Sequence, residues 1–151
     1  MTKQFLSAAA LSALIAASGT TAAFAQDSNA ENLVGAWRMV SLAFGEPGGE
    51  LTEVPYSGQI IFTEAGTVST QAMNPDESAP DNAYTVNGYE AFYGTYDLGE
   101  GNDTFTINVS SSLIRSMIGG AFERSFEATE DQLVLMPTSP DENWRVVYER
   151  Y

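Results

Sequence analysis

The 151-residue sequence contains no cysteine and no histidine, and its only lysine is Lys3. Without cysteine there is no disulfide, no thiol nucleophile and no thiolate metal site. The further lack of histidine removes the usual nucleophile–base triads and zinc sites, leaving no metal-ligand constellation and no implied cofactor. Basic residues are scarce, six against 20 acids, and tryptophan occurs twice, at Trp37 and Trp144. A chain this acidic lacks the phosphate-neutralising surface that nucleic acid and anionic lipid require, so neither is an expected partner. The acids are scattered rather than clustered, as in a surface adapted for solubility.

Long apolar runs are also missing, except at the N-terminus. There Lys3 precedes "FLSAAALSALIAA", and "SGTTAAFA" ends in Ala23-Phe24-Ala25. A basic start, a short apolar run and a small-x-small ending form the pattern of a secretory signal peptide. The expectation is cleavage after Ala25, a periplasmic or secreted location, and no membrane insertion of what remains. Residues 26–151 would then form one domain, large enough for a single hydrophobic core without staples. Removing Lys3 leaves five arginines, no lysine, and a net charge of −15. Schiff-base chemistry goes with it.

What remains reads as short β runs between turn residues. Ser28-Asn29-Ala30-Glu31 has capping-box spacing and predicts one helical turn before the first strand. Strands are expected over 33–44, 56–63, 67–73, 91–98, 103–110, 121–128, 132–137 and 142–151. Two segments depart from this pattern. Residues 74–91 are a polar, proline-containing connection with an expected helical turn around Val86 to Ala91. "SSLIRSMIGG" (111–120) has apolar residues at helical spacing.

Short connections favour antiparallel neighbours. Within the strands, Phe122, Arg124 and Phe126 share one face, as do Phe105, Ile107 and Val109. The fold class expected is all-β, an eight-stranded antiparallel up-and-down barrel. Such a barrel has no free edges and encloses side chains or one small ligand.

The order of "LVGAWRMVS", "GQIIFTEAGTVSTQAM", "YEAFYGTYDL", "FERSF" and "VVYER" resembles the lipocalin-like (calycin) domain family of bacteria and fungi, over about residues 31–151. The resemblance implies that Trp37 of Gly35-x-Trp37 lies inside a closed barrel end, with an arginine of the last strand crossing it. Arg150 fills that place, with Arg145 as the alternative. A guanidinium over an indole contributes roughly 0.5–2 kcal/mol. Histidines that occur in the family on the strand matched by "FTINVS" are missing here, where Asn108 stands, so histidine-dependent activity does not carry over.

Candidate ligand-binding residues follow from the remaining polar and aromatic groups. Arg124, between Phe122 and Phe126, either holds the polar or anionic head of a ligand or forms an ion pair with a core acid. Tyr93 and Tyr96, with Tyr84 and Tyr89, offer apolar area and a hydrogen-bonding tip to a cavity or its rim. Met117, with Leu113, Ile114 and Ile118, forms a lid or an outer helix. Asp97, Glu100 and Asp103 are spaced for a hairpin turn rather than a calcium loop. No carboxylate sits clearly on an apolar strand face, so no catalytic residue is assigned.

The function expected is binding of a small, mostly apolar molecule in the barrel. The alternatives are a cofactor-free isomerase or cyclase, and a filled barrel acting through its surface. An interior below about 300 Å³ argues against a drug-sized ligand and favours the filled barrel.

Overall fold

Alternation of apolar and polar residues demands that one face of each strand be hidden, and closing the sheet hides all of them together. The computed structural model describes residues 29–151. A helical turn over residues 29–33 leads into nine strands: β1 Gly35–Phe44, β2 Thr52–Val54, β3 Ser57–Phe62, β4 Thr67–Met73, β5 Tyr89–Leu98, β6 Thr104–Ser112, β7 Ala121–Ala128, β8 Gln132–Pro137 and β9 Trp144–Arg150. Each of β3 to β9 pairs antiparallel with its sequence neighbour, and β1 joins both β3 and β9. Eight strands therefore close an up-and-down barrel. The expected signal segment and Ser28 of the capping box lie outside the described residues. Among the described residues no helix is long and apolar enough to cross a membrane.

The ninth strand, β2, was not expected. Its three residues continue the wall beside the second half of β1, pairing Leu42 with Val54 and Phe44 with Thr52. A run of three alternating residues is too short to register as a strand by pattern alone. β1 can serve three neighbours because its first half faces β3 and its second half β2, with a bulge between Met39 and Ser41 on the β9 side.

Two further expectations are corrected. No helical turn forms over Val86 to Ala91. Asn87 and Gly88 both have positive φ (53° and 73°), and Val86 bridges Tyr89 on either side of them. That is a two-residue hairpin turn of the type Asn-Gly favours, and it starts β5 at Tyr89, two residues earlier than the pattern placed it. In 111–120 the helical spacing yields only a single 3-10 turn, Arg115–Met117. Met117 is buried and Ile114 packs on the core, while Leu113 and Ile118 face solvent.

The core divides into two layers along the barrel axis. At one end Leu33, Trp37, Phe62, Val68, Phe105, Phe126 and Leu133 are completely enclosed. Phe62 and Phe105 meet edge-to-face at 5.1 Å, and Phe126 lies 5.5 Å from Phe105. These rings fill the section. Asn29 fastens the helical turn over this end, accepting from the Ala128 amide and donating to the Asn102 carbonyl at 2.7 Å.

Candidate functional site

Strand alternation carries the same inward-facing positions past the filled layer to the other end, where they no longer meet. A cavity of about 100 Å³ remains there. Its floor and walls include Met39, Ile60, Ile107, Leu135 and Val146, and its aromatic rim includes Phe44, Phe92, Phe122 and Trp144. A more open hollow of about 350 Å³ adjoins it, and Phe44 and Tyr84 form walls of both. The cavity is below the size of a drug-sized site, and within the range that holds one small ring or short chain.

Arg124 of β7 projects into this cavity, and its charge is answered. The guanidinium lies 3.4 Å from the Glu142 carboxylate and 5.1 Å from the Trp144 ring. It donates to the Tyr84 hydroxyl at 3.3 Å and to the Glu123 carbonyl at 2.9 Å. The Trp144 indole in turn donates to Glu142 at 2.7 Å. The Arg124 side chain is only 11 % exposed, so the ion pair is largely removed from water.

The other candidates separate. Phe122 and Met117 line the cavity with Arg124. Phe126 is further down, in the filled layer. Tyr96 packs edge-to-face on Phe62 at 5.1 Å, and its hydroxyl donates to the Thr63 carbonyl. Burial raises the Tyr96 hydroxyl above the ordinary phenol range. Tyr93 points outward and is 57 % exposed, because it alternates with Phe92. Tyr89 also faces out, while Tyr84 reaches into the cavity from the connection before β5. Desolvation raises the Tyr84 hydroxyl, against the opposing pull of Arg124.

Glu90 is the residue that the sequence pattern left out. With β5 starting at Tyr89, Glu90 falls on the inner face with Phe92, Gly94 and Tyr96, and it lines the cavity. The residue is half-buried, yet the apolar walls desolvate its carboxyl and push it up to about 7, with Arg124 pulling the other way. Tyr148 of β9 faces the same space. Burial drives its hydroxyl far above the phenol range, and the nearby Glu90 charge adds to that. Contrary to expectation, a carboxylate, that of Glu90, therefore sits on an apolar strand face. Asn87-Gly88 was the signal that would have found Glu90.

The opposite end holds the second arginine–tryptophan pair. The Arg150 guanidinium lies 4.0 Å over the Trp37 ring, and Trp37 itself donates to the Leu33 carbonyl at 2.9 Å. Arg150 donates to the carbonyls of Val34 (3.0 Å), Asn32 (2.7 Å) and Glu130 (2.6 Å). Gly35 has a φ of +148°, and a Cβ there would run into the Arg150 guanidinium. Arg145 is exposed, and Arg38 pairs with Glu149 at the surface at 3.0 Å.

Among the described residues no group of three acidic side chains could hold a metal ion. No curated protein matches the chain. Among solved structures, the crystal structure of Rv2717c from M. tuberculosis is similar, with 18% sequence identity over 80% of this chain and 93% of that chain and a TM-score of 0.38. The family model of the lipocalin-like domain matches residues 34–148, which with the closed eight-stranded barrel places the chain in the lipocalin-like domain family.

Proposed function

We propose that this protein binds a compact, mostly apolar small molecule in the wide-end cavity, with the molecule's polar head beside Arg124 and Glu90. The carrying observation is a cavity of about 100 Å³ with apolar walls and a few polar groups, set over a filled floor. The cavity is smaller than the roughly 300 Å³ below which the filled-barrel alternative is favoured, so that alternative stands for the lower layer and limits any ligand to a compact molecule. Because Glu142 already offsets Arg124, an anionic head would gain little there and would face Glu90 as well. Export through a cleaved segment 1–25 belongs to the same reading, and would place binding in the periplasm or outside the cell.

The test is native mass spectrometry of the purified full chain, with Ala72→Leu as the partner variant. Ala72 lines the cavity, and three added carbons would occupy much of it. A mass that accompanies the wild type and is lost from a folded Ala72→Leu supports the reading. An adduct that survives the filled cavity removes it.

Glu90 favours a second reading, cofactor-free acid–base chemistry. A carboxyl near 7 in a water-poor cavity can take up and return a proton at neutral pH. A co-purified molecule whose carbon-bound hydrogen exchanges with solvent deuterium only when Glu90 is present would support it. An inert molecule would leave binding as the function.

A further inference from the structure

Three polar groups in the cavity have no hydrogen-bond partner among the described residues. The Thr70 hydroxyl is buried and unsatisfied. The Glu90 carboxyl feels burial and the field of Arg124, but accepts no hydrogen bond. The Tyr148 hydroxyl feels burial and the Glu90 charge, and likewise makes none. Leaving a buried hydroxyl unpaired is costly, and Thr70 shares the cavity with the half-buried Glu90 carboxyl and the Tyr148 hydroxyl, so all three are open to an occupant that satisfies them. Two of them are neighbours in the sheet, and Tyr148 lines the same cavity within the field of Glu90. Ala72 pairs with Glu90 and Thr70 with Phe92 across β4 and β5, which makes Thr70 and Glu90 diagonal neighbours on the interior face.

The three share one capacity, which is to accept. A carboxylate only accepts, and the two hydroxyls can turn their protons away and do the same. The charge balance agrees. Arg124 is neutralised by Glu142 at 3.4 Å, and among the described residues Glu90 has no cation within ion-pair distance. Ionised, Glu90 leaves the cavity one negative charge in excess. Phe92, two residues on from Glu90 along β5, lines the cavity beside it, while the Phe122 and Trp144 rings are already met by the Arg124 guanidinium at 5.7 and 5.1 Å. The acidic chain, with 20 acids against six basic residues, adds a field that draws cations towards it.

We propose that the occupant of the cavity is a small primary amine bound as its ammonium ion, with Glu90 as counter-ion and the Thr70 and Tyr148 hydroxyls as further acceptors. Three N–H donors then meet three partnerless acceptors, and the apolar remainder of the amine rests on the aromatic walls. The proposal rests on the small-molecule reading above, and narrows it to one ligand class. It makes binding depend on the ionisation of Glu90. The groups that face Glu90 are Arg124 on β7, Tyr148 on β9, and Tyr84 and Tyr56 from the connections, with Glu142 behind Arg124. The tyrosines stay neutral below their raised values, and Glu90 is the group that switches near neutrality.

Calorimetric titration of the full chain with benzylamine, benzyl alcohol and benzoate, three probes of one shape, tests this. Benzylamine should bind most tightly and gain roughly tenfold between about pH 6 and pH 8, as Glu90 ionises. Glu90→Gln should abolish that gain and weaken benzylamine by about tenfold or more, leaving benzyl alcohol unchanged. Thr70→Val should weaken benzylamine alone, to a smaller degree, and circular dichroism checks that both variants fold. Benzyl alcohol binding as tightly as benzylamine overturns the amine proposal and leaves the small-molecule reading standing. Benzoate binding most tightly overturns it in favour of Arg124 as the anchor. Failure of all three probes, in a protein that also carries no co-purified mass, removes both readings.

Discussion

The barrel holds two arginine–tryptophan pairs, one at each end, and they are put to different uses. At the closed end Arg150 lies over Trp37, and three backbone carbonyls from two separate segments receive its protons. The Trp37 side chain has no solvent contact at all. At the wide end Arg124 lies over Trp144, and beyond one backbone carbonyl, that of Glu123, its partners are side chains, Glu142 and Tyr84, that line or border a cavity. Backbone carbonyls are fixed by the sheet and the helical turn. Side-chain carboxyls and phenols can turn, titrate and be displaced. The same pair of residue types thus seals one end and lines a cavity at the other, and what distinguishes them is that Arg124 also meets side-chain acceptors whereas Arg150 meets backbone carbonyls.

The contrast is open to direct tests, beginning with the sealed end. Trp37→Ala should cost about 3–5 kcal/mol of stability, since it empties the filled layer and strips Arg150 of its ring. Urea denaturation measures it, and a loss under about 1 kcal/mol would show that the closed end does not hold the barrel shut. Glu90→Gln should act in the opposite direction. The folded protein raises the Glu90 carboxyl from 4.5 to about 7, so between those values the folded state holds a proton that the unfolded state has released. Stability due to this group therefore falls as pH rises through that window, and the penalty is complete above it. Removing the charge should stabilise the protein by on the order of 2–3 kcal/mol at pH 8 and by almost nothing at pH 4. Equal effects at both pH values would mean that Glu90 is not desolvated.

The smallest effect is expected at the turn that positions Glu90. The Asp81 carboxylate accepts from the Gly88 and Asn87 amides at 2.8 and 2.9 Å, and these bonds hold its carboxyl below the usual range. Its contribution is present above the unfolded value and is lost as pH falls through the lowered folded one. Asp81→Asn should speed hydrogen exchange at those two amides at neutral pH without moving the global midpoint. Unchanged exchange would show that the Asn-Gly turn holds itself.

Much of this architecture is written in two-residue alternation. Phe105, Ile107 and Val109 face inward as their spacing demands, and Arg150 lies over Trp37 beside Gly35. The pattern became illegible where alternation was too short or began out of sight. β2 offers three residues, which no periodicity can certify. Glu90 alternates with Phe92 only once β5 is known to start at Tyr89, and that start is set by positive φ at Asn87 and Gly88 rather than by hydrophobicity. Arg124 could be placed on the right face from its neighbours, but its partner Glu142 comes from a connection 18 residues on in the chain. Tyr93 and Tyr96 looked alike as a tyrosine cluster, and one step of parity sends them to opposite sides of the wall. Helical spacing in 111–120 misled because a segment crossing a barrel mouth buries residues on one side whatever its backbone does.

The seal at the closed end also has a kinetic side. The hydrogen bonds from Arg150 to Val34 and Asn32 join residues 116 and 118 positions apart, across nearly the whole described chain. Every hairpin from β3 to β9 can form from near neighbours, whereas the β1–β9 seam must wait for the two ends to find each other. Contacts of such sequence separation are the slow ones, and barrels dominated by them fold over milliseconds to seconds. Locking Trp37 under Arg150 should then be among the last events of folding, so damage to that lock would leave the folding rate nearly unchanged and hasten unfolding instead.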